Sequence, residues 1–198
     1  MPKFRRDKTI IMIDFETLSL SPDAHILQVA MIVSRNDEII TVVNLFTDPE
    51  DELNATRHVD NATVAWWHEQ GSLWSDMQYN RRSSGTSLAY VINKMNSIIN
   101  KEFPDALIVS RGNFDALIIE SLLSKEYLRP HYRRYCDLRT LVNLIDYNEH
   151  TKENKQSLTA RAEYIARVCM TDYNEADAHN ALTDCIYQTA LLWELTNA

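Results

Sequence analysis

The chain has 198 residues, of which 45% are hydrophobic and 24% charged, with only three glycines and five prolines. That length fits a single domain, residues 1–198, with a core of its own, and the composition argues against long flexible linkers. The net charge of −8 argues against a broad duplex-gripping surface, which is ordinarily basic, but not against an enzyme whose carboxylates hold cations in use.

No apolar run is long enough to span a bilayer, so no transmembrane segment is expected. The basic start MPKFRRDK is followed by a strand rather than by a signal-peptide core. Cys136, Cys169 and Cys185 are odd in number, far apart and without zinc spacing, which fits a reduced, cytoplasmic chain.

The first element is a run of apolar and β-branched residues, 9–13, leading into Asp14 and Glu16. Such a run reads as a strand buried on both faces. Side chains alternate along a strand, so residues two apart share a face and Asp14 and Glu16 project together. Two ionised carboxylates held that close repel each other unless a cation, typically a hard divalent one, sits between them. An isolated pair of this kind also fits a strand simply capped at the surface.

A turn-rich segment, LSLSPDAH, comes next. Residues 26–33 and 38–46 read as a hairpin of strands joined at Arg35-Asn36-Asp37. Thr63 is placed as the N-cap of a short helix that stops at Gly71. Leu88, Val91, Ile92, Met95, Ile98 and Ile99 recur at helical spacing within residues 87–100. Residues 106–110 read as a buried strand, 113–123 as a helix, and 135–138 as a further strand running into a helix through Ile145. Residues 147–157 are polar, lack apolar periodicity and read as an exposed loop; 159–168 and 180–195 are read as helices. Three strands followed by alternating strands and helices predict an α/β fold with a mixed central β-sheet flanked by helices.

Two further acids stand out by context. Asp115 falls in the first turn of a helix after a strand, where the helix dipole alone also favours a carboxylate. Asp184 lies early in an apolar helix, on a face with Ala181, Cys185 and Gln188, where a charge needs a partner. His179 precedes it by five residues. Two side chains at that spacing inside one helix lie about 140° apart, so His179 is placed at the helix edge with Asp184 one turn further in. A lone histidine is more often structural, and the sequence holds five others.

Taken together, Asp14, Glu16, Asp115, His179 and Asp184 resemble the DEDD, or DnaQ-like, superfamily of 3′→5′ exonucleases on an RNase H-like fold. The histidine five residues before the last aspartate resembles its DEDDh branch. The blocks IDFET, TVAWWHEQ, GNFDALIIE, CDLRT and HNALTDC are similar to the group that includes the phage exodeoxyribonuclease DexA and the mycobacterial RNase AS. Residues 71–85 and 147–174 have no counterpart in those blocks. The chain also departs from the group in reading LSLS where many relatives carry a glycine, and in having Asn180 where aspartate often follows the histidine.

The resemblance implies phosphodiester hydrolysis with two Mg²⁺ ions, Mn²⁺ being the substitute. Asp14 would bridge the ions, Glu16 and Asp184 would complete the tighter site, Asp115 would hold the second ion, and His179 would be the general base. It also implies a 3′-end pocket near Thr17 and Leu18, with Trp66, Trp67 and Phe114 as candidate stacking residues, since stacking is worth roughly 1–3 kcal/mol per base. Adjacent tryptophans on a helix point about 100° apart, so one of the pair is expected in the core. Arg81-Arg82 and the cluster at 129–134 are candidate phosphate-tracking patches, with solvated loop charge as the alternative for each.

The expected partner is a single-stranded 3′ end, DNA weakly favoured over RNA, with no membrane. Some members are dimers whose partner helps complete the cleft, so a homodimer fits. An exoribonuclease is the second reading. A catalytically silent nucleic-acid-binding subunit is the third, and the complete set of acids and base argues against it.

Overall fold

The computed structural model describes residues 7–123, 129–145, 147–174 and 178–197. Its centre is a five-stranded mixed sheet ordered β3-β2-β1-β4-β5. The strands are β1 (Ile10–Thr17), β2 (Ile26–Arg35), β3 (Glu38–Phe46), β4 (Leu107–Ser110) and β5 (Tyr135–Asp137). β2 and β3 pair antiparallel, as the hairpin reading expects; β1 pairs antiparallel with β2, while β4 joins β1 and β5 joins β4 in parallel. Helices are α1 (Glu52–Ala55), α2 (Asn61–Glu69), α3 (Ser72–Ser84), α4 (Leu88–Asn96), α5 (Phe114–Leu122), α6 (Leu138–Leu144), α7 (Lys152–Val168) and α8 (Ala181–Asn197). A mixed sheet flanked by helices is the architecture expected from the sequence.

Alternation along β1 decides what the sheet offers to each layer. Ile11, Ile13 and Phe15 face a core completed by Val91, Met95, Ile98, Ile118 and Ile119 from the α4 and α5 side. Met12 faces the other core, built from Leu158, Ile165, Cys185, Ile186 and Leu191 on α7 and α8. Asp14 and Glu16 continue the Met12 line, so the strand aims both carboxylates at α8. A third, smaller core of Leu27, Trp67 and Met77 ties α2 and α3 to the sheet.

Several expected boundaries move, each for a local reason. β1 continues to Thr17, because Asp14 and Glu16 pair with Ala30 and Gln28 and a bulge comes only after Glu16. Asp60, not Thr63, caps α2: its carboxylate accepts the Thr63 N–H at 3.0 Å and the Thr63 hydroxyl at 2.9 Å. Residues 97–102 close the helix after α4 as a π-turn. Residues 71–85, left without an element, carry α3, which starts at Gly71 in a left-handed conformation (φ 60°) that glycine tolerates.

The segment read as an exposed loop is only partly one. Thr151 caps α7 at Lys152, and the first turns of that helix are polar because they lie on the outer face until Leu158 reaches the core. Glu149, just before the cap, is buried.

Each arginine patch loses one member to the interior, while Arg82, Arg129 and Arg133 stay exposed. Arg81 is only 4% exposed; its guanidinium donates to Thr47 O at 3.0 Å and meets His25 Nε2 at 3.0 Å. Arg134 donates to the carbonyls of Ala106, Ile99 and Phe103 at 2.8–3.0 Å, closing the loop after the π-turn. Both are structural cations, spent on backbone carbonyls.

Candidate active site

The carboxylates of Asp14, Glu16 and Asp184 offer oxygens that all lie within 4.8 Å of one another. β1 supplies the first two and the first turn of α8 the third. Asp115 enters from α5 on the opposite side of β1, and its Oδ1 accepts the backbone N–H of Phe15 at 3.2 Å. This bond fixes the start of α5 against the strand, one residue from each of the two β1 acids.

Asp14 also accepts Gln188 Nε2 at 3.0 Å. Asp184 accepts the backbone N–H of His179 at 3.0 Å. His179 itself sits before α8 in a left-handed conformation (φ 71°), an uncommon state for a side-chain-bearing residue. Its ring packs edge-on against Trp66, with centroids 4.8 Å apart. The histidine is thus outside the regular helix with Asp184 one turn in, the placement that the five-residue spacing anticipates.

Burial dominates the electrostatics. Asp14 and Glu16 are raised well above the ordinary carboxylate range, by burial first and then by nearby negative charge, from Asp115, Glu16 and Asp184 on Asp14 and from Asp184 and Asp115 on Glu16. Burial likewise raises Asp184, against the His179 N–H and the charges of His179 and Arg111. Asp115 is pushed up to about 7, again by burial first, with the Phe15 N–H opposing. Two carboxylates about 5 Å apart repel by roughly 3 kcal/mol at an effective dielectric of about 20. Several such pairs outweigh what a solvated strand cap would tolerate, so the surface-cap alternative loses its footing.

The donor set is all oxygen, the chemistry that Mg²⁺ and Mn²⁺ prefer. Gln188 Oε1, beside Asp14, is buried without a hydrogen-bond partner. The residues therefore fit divalent cations.

A stability consequence follows. Without divalent cations, the folded protein keeps a proton on Asp115 that the unfolded chain has released, between the ordinary 3.8 and about 7. The folded state binds more protons in that window, so stability falls as pH rises through it. Thermal melting in EDTA should give a lower midpoint at pH 8 than at pH 5, Mg²⁺ should raise the pH 8 value, and Asp115→Asn should flatten the profile. A metal-free midpoint that climbs from pH 5 to pH 8 would contradict this.

The substrate-side expectations fare unevenly. Trp67 is 1% exposed and its indole N–H donates to Thr17 O at 2.8 Å. It is a core residue and is withdrawn as a stacking candidate. Trp66 is 36% exposed and stands against His179. Phe114 is half-buried against the α4–α5 core. The Thr17 hydroxyl donates to Ser19 O at 2.7 Å. Leu18 is held through both backbone groups, its N–H to His25 O at 2.9 Å and its carbonyl to the Asp60 N–H at 2.8 Å. Beside His179 opens a polar cavity of about 510 Å³, lined in part by Gln70, Asp76, Tyr79, Asn80 and Asn180.

Gln28 was not anticipated as part of the site. It is fully buried opposite Glu16, accepts the Ala181 N–H at 3.1 Å and donates to Asn180 Oδ1 at 3.3 Å. Asn180 in turn caps α8, accepting from Leu182 N at 3.1 Å. An asparagine performs that cap as well as an aspartate, which explains how the chain tolerates its departure there. The lone amide in ILQVAMIV was the signal.

Fold and cluster together define the class: an RNase H-like α/β domain with a carboxylate cluster at the end of its central strand. Within it, the chain belongs to the 3′-5′ exoribonuclease Rv2179c-like domain family, whose model matches residues 9–196. No curated protein sequence matches the chain significantly. Among solved structures it is similar to E. coli exonuclease I in a zinc-bound complex with single-stranded DNA, at 16% identity and a TM-score of 0.63, covering 96% of this chain and 40% of that one. It is also similar to exonuclease I from Methylocaldum szegediense, at 17% identity and a TM-score of 0.62, covering 96% and 42%. The E. coli enzyme with a dT13 oligonucleotide gives 16% identity and 0.61, covering 96% and 41%. The chain thus spans about two fifths of those proteins, and at such identity they speak for the fold.

Proposed function

We propose that this chain removes nucleotides from the 3′ end of a single strand by metal-dependent hydrolysis, with His179 as general base. The observation that carries the reading is the convergence of Asp14, Glu16 and Asp184, with Asp115 tied in through Phe15 and His179 bonded to Asp184.

Asp14, Glu16 and Asp184 would hold one divalent cation, and Asp14 with Asp115 the second. When bound, such a pair neutralises the phosphate, acidifies a water and stabilises the leaving 3′-oxygen. Mg²⁺ is the proposed ion, with Mn²⁺ as its substitute. The chain's own work is to fix and shield these groups. Gln188 orients Asp14, and the His179 N–H orients Asp184. The His179 imidazole, steadied by Trp66, takes the proton from the attacking water as general base. Trp66 offers an exposed ring to stack a terminal base.

The fold neighbours with bound single-stranded DNA support the deoxyribonucleotide reading favoured from the sequence. The family description supports RNA, and it weighs more because that match is at the level of sequence and spans residues 9–196. It is also consistent with the DexA and RNase AS group. Discrimination would rest on contacts to the 2′-hydroxyl. A competition between equal-length single-stranded RNA and DNA in Mg²⁺ decides: faster loss of RNA supports the family reading and faster loss of DNA the other. No loss of either would favour a silent binding subunit.

A homodimer and a cytoplasmic setting complete the proposal. The three cysteines are free thiols, which suits a reducing compartment. No helix among the described residues is long and apolar enough to cross a membrane.

A further inference from the structure

Arg111 closes β4, and the reading of the site has so far given it nothing to do. In the parallel register Met12 pairs with Val109. β1 runs on to Asp14 beyond that pair, while β4 ends at Ser110, so Arg111 opens the turn that leads from β4 to Asp115. The arginine's charge is felt at Asp184.

The guanidinium is held from two sides. Its Nη2 donates to Glu149 Oε1. Its Cζ lies 5.7 Å from the centroid of the Tyr187 ring. The Tyr187 hydroxyl donates to the second oxygen of the same carboxylate, Glu149 Oε2, at 2.9 Å. Glu149 is buried while the Arg111 side chain stays one-third exposed. Tyr187 lies one turn beyond Asp184 on α8, so the support and the acid share a helix face. Glu149 comes from the polar stretch that the family blocks leave unmatched.

A partly exposed ion pair adds little stability by itself, and the buried Glu149 has the ion-pair and hydrogen-bond partners that its burial demands. A planar guanidinium pinned by a carboxylate and an aromatic face keeps further N–H donors in a fixed fork, the geometry that binds phosphate oxygens. Such a donor, set at the rim of an acidic cluster, can attract a phosphate that the carboxylates alone would repel.

We infer that Arg111 binds the phosphate of the 3′-terminal nucleotide, with Glu149 and Tyr187 as positioning residues that hold its guanidinium. The inference rests on the exonuclease reading for its substrate, but binding can be tested apart from turnover. The probe is adenosine 5′-monophosphate, titrated calorimetrically into the protein in Mg²⁺. Arg111→Met should weaken binding at least about tenfold, as loss of a charged hydrogen bond does. Arg111→Lys should recover part of that loss. Glu149→Gln and Tyr187→Phe, which keep the arginine, should each weaken binding less than Arg111→Met.

Wild-type affinity in Arg111→Met overturns the inference. So does a loss that tracks a fall in melting midpoint with no recovery in Arg111→Lys, or a wild-type protein that does not bind the nucleotide. If the wild type binds, Arg111→Met does not, and no strand is shortened, the exonuclease reading fails while the phosphate site stands. If strands are shortened and Arg111→Met binds normally, the reverse holds.

Discussion

Replacing Asp14 with alanine is expected to abolish strand shortening while leaving the fold intact. Asp14 sits at the centre of the cluster, with Glu16, Asp115 and Asp184 all acting on its charge. Removing it takes away the group proposed to bridge both ions, so the loss exceeds that of a single transition-state donor, which alone costs about 10²–10³ in rate. The fold is expected to survive because the variant relieves repulsion rather than opening a core. Its melting midpoint in EDTA should equal or exceed that of the wild type. Asp184→Ala should lose activity similarly, although it also frees the His179 N–H. Single-turnover assays with Mg²⁺, paired with thermal melts, separate lost chemistry from lost structure. Robust turnover by purified Asp14→Ala would sink the assignment.

The second large effect is expected at His179. Its backbone N–H holds Asp184, and its side chain supplies the proposed base. Asparagine is the informative replacement, because it tolerates the left-handed conformation at φ 71° and keeps the backbone bond. His179→Asn should therefore lower turnover by about 10²–10⁴, the usual worth of a general base, with little change in melting or in Mn²⁺ affinity. Raising the pH should recover part of the rate, as hydroxide replaces the missing base. A variant within a few-fold of wild type would move the base elsewhere.

How much of this was legible depended on whether the signal was local. Asp14 and Glu16 declared themselves through strand alternation, and His179 with Asp184 through a spacing that requires the histidine to leave the helix. The mixed sheet followed from a hairpin and two buried apolar runs, while the strand order β3-β2-β1-β4-β5 came only with the fold. What the residues hid was long-range partnership. Arg81 looks like a surface cation because buried arginines are rare; only the fold brings it to Thr47 and His25. Glu149 sits in a stretch without periodicity, and its partners Arg111 and Tyr187 are 38 residues away on either side. The start of α7 was missed because its first turns face solvent, and α3 because its apolar residues are few. Trp66 and Trp67 were correctly expected to divide between surface and core, but which went where depended on the Thr17 carbonyl.

The central claim is that this cluster cuts a single strand from its 3′ end and needs divalent metal to do so. A single-stranded oligonucleotide of the preferred sugar, labelled at its 5′ end, tests it most directly. In Mg²⁺ the wild-type protein should convert the strand into a descending ladder whose label stays on the shortening fragments, and EDTA should stop it. Release of the label as a mononucleotide at the outset, or a ladder that persists in EDTA, would contradict the account.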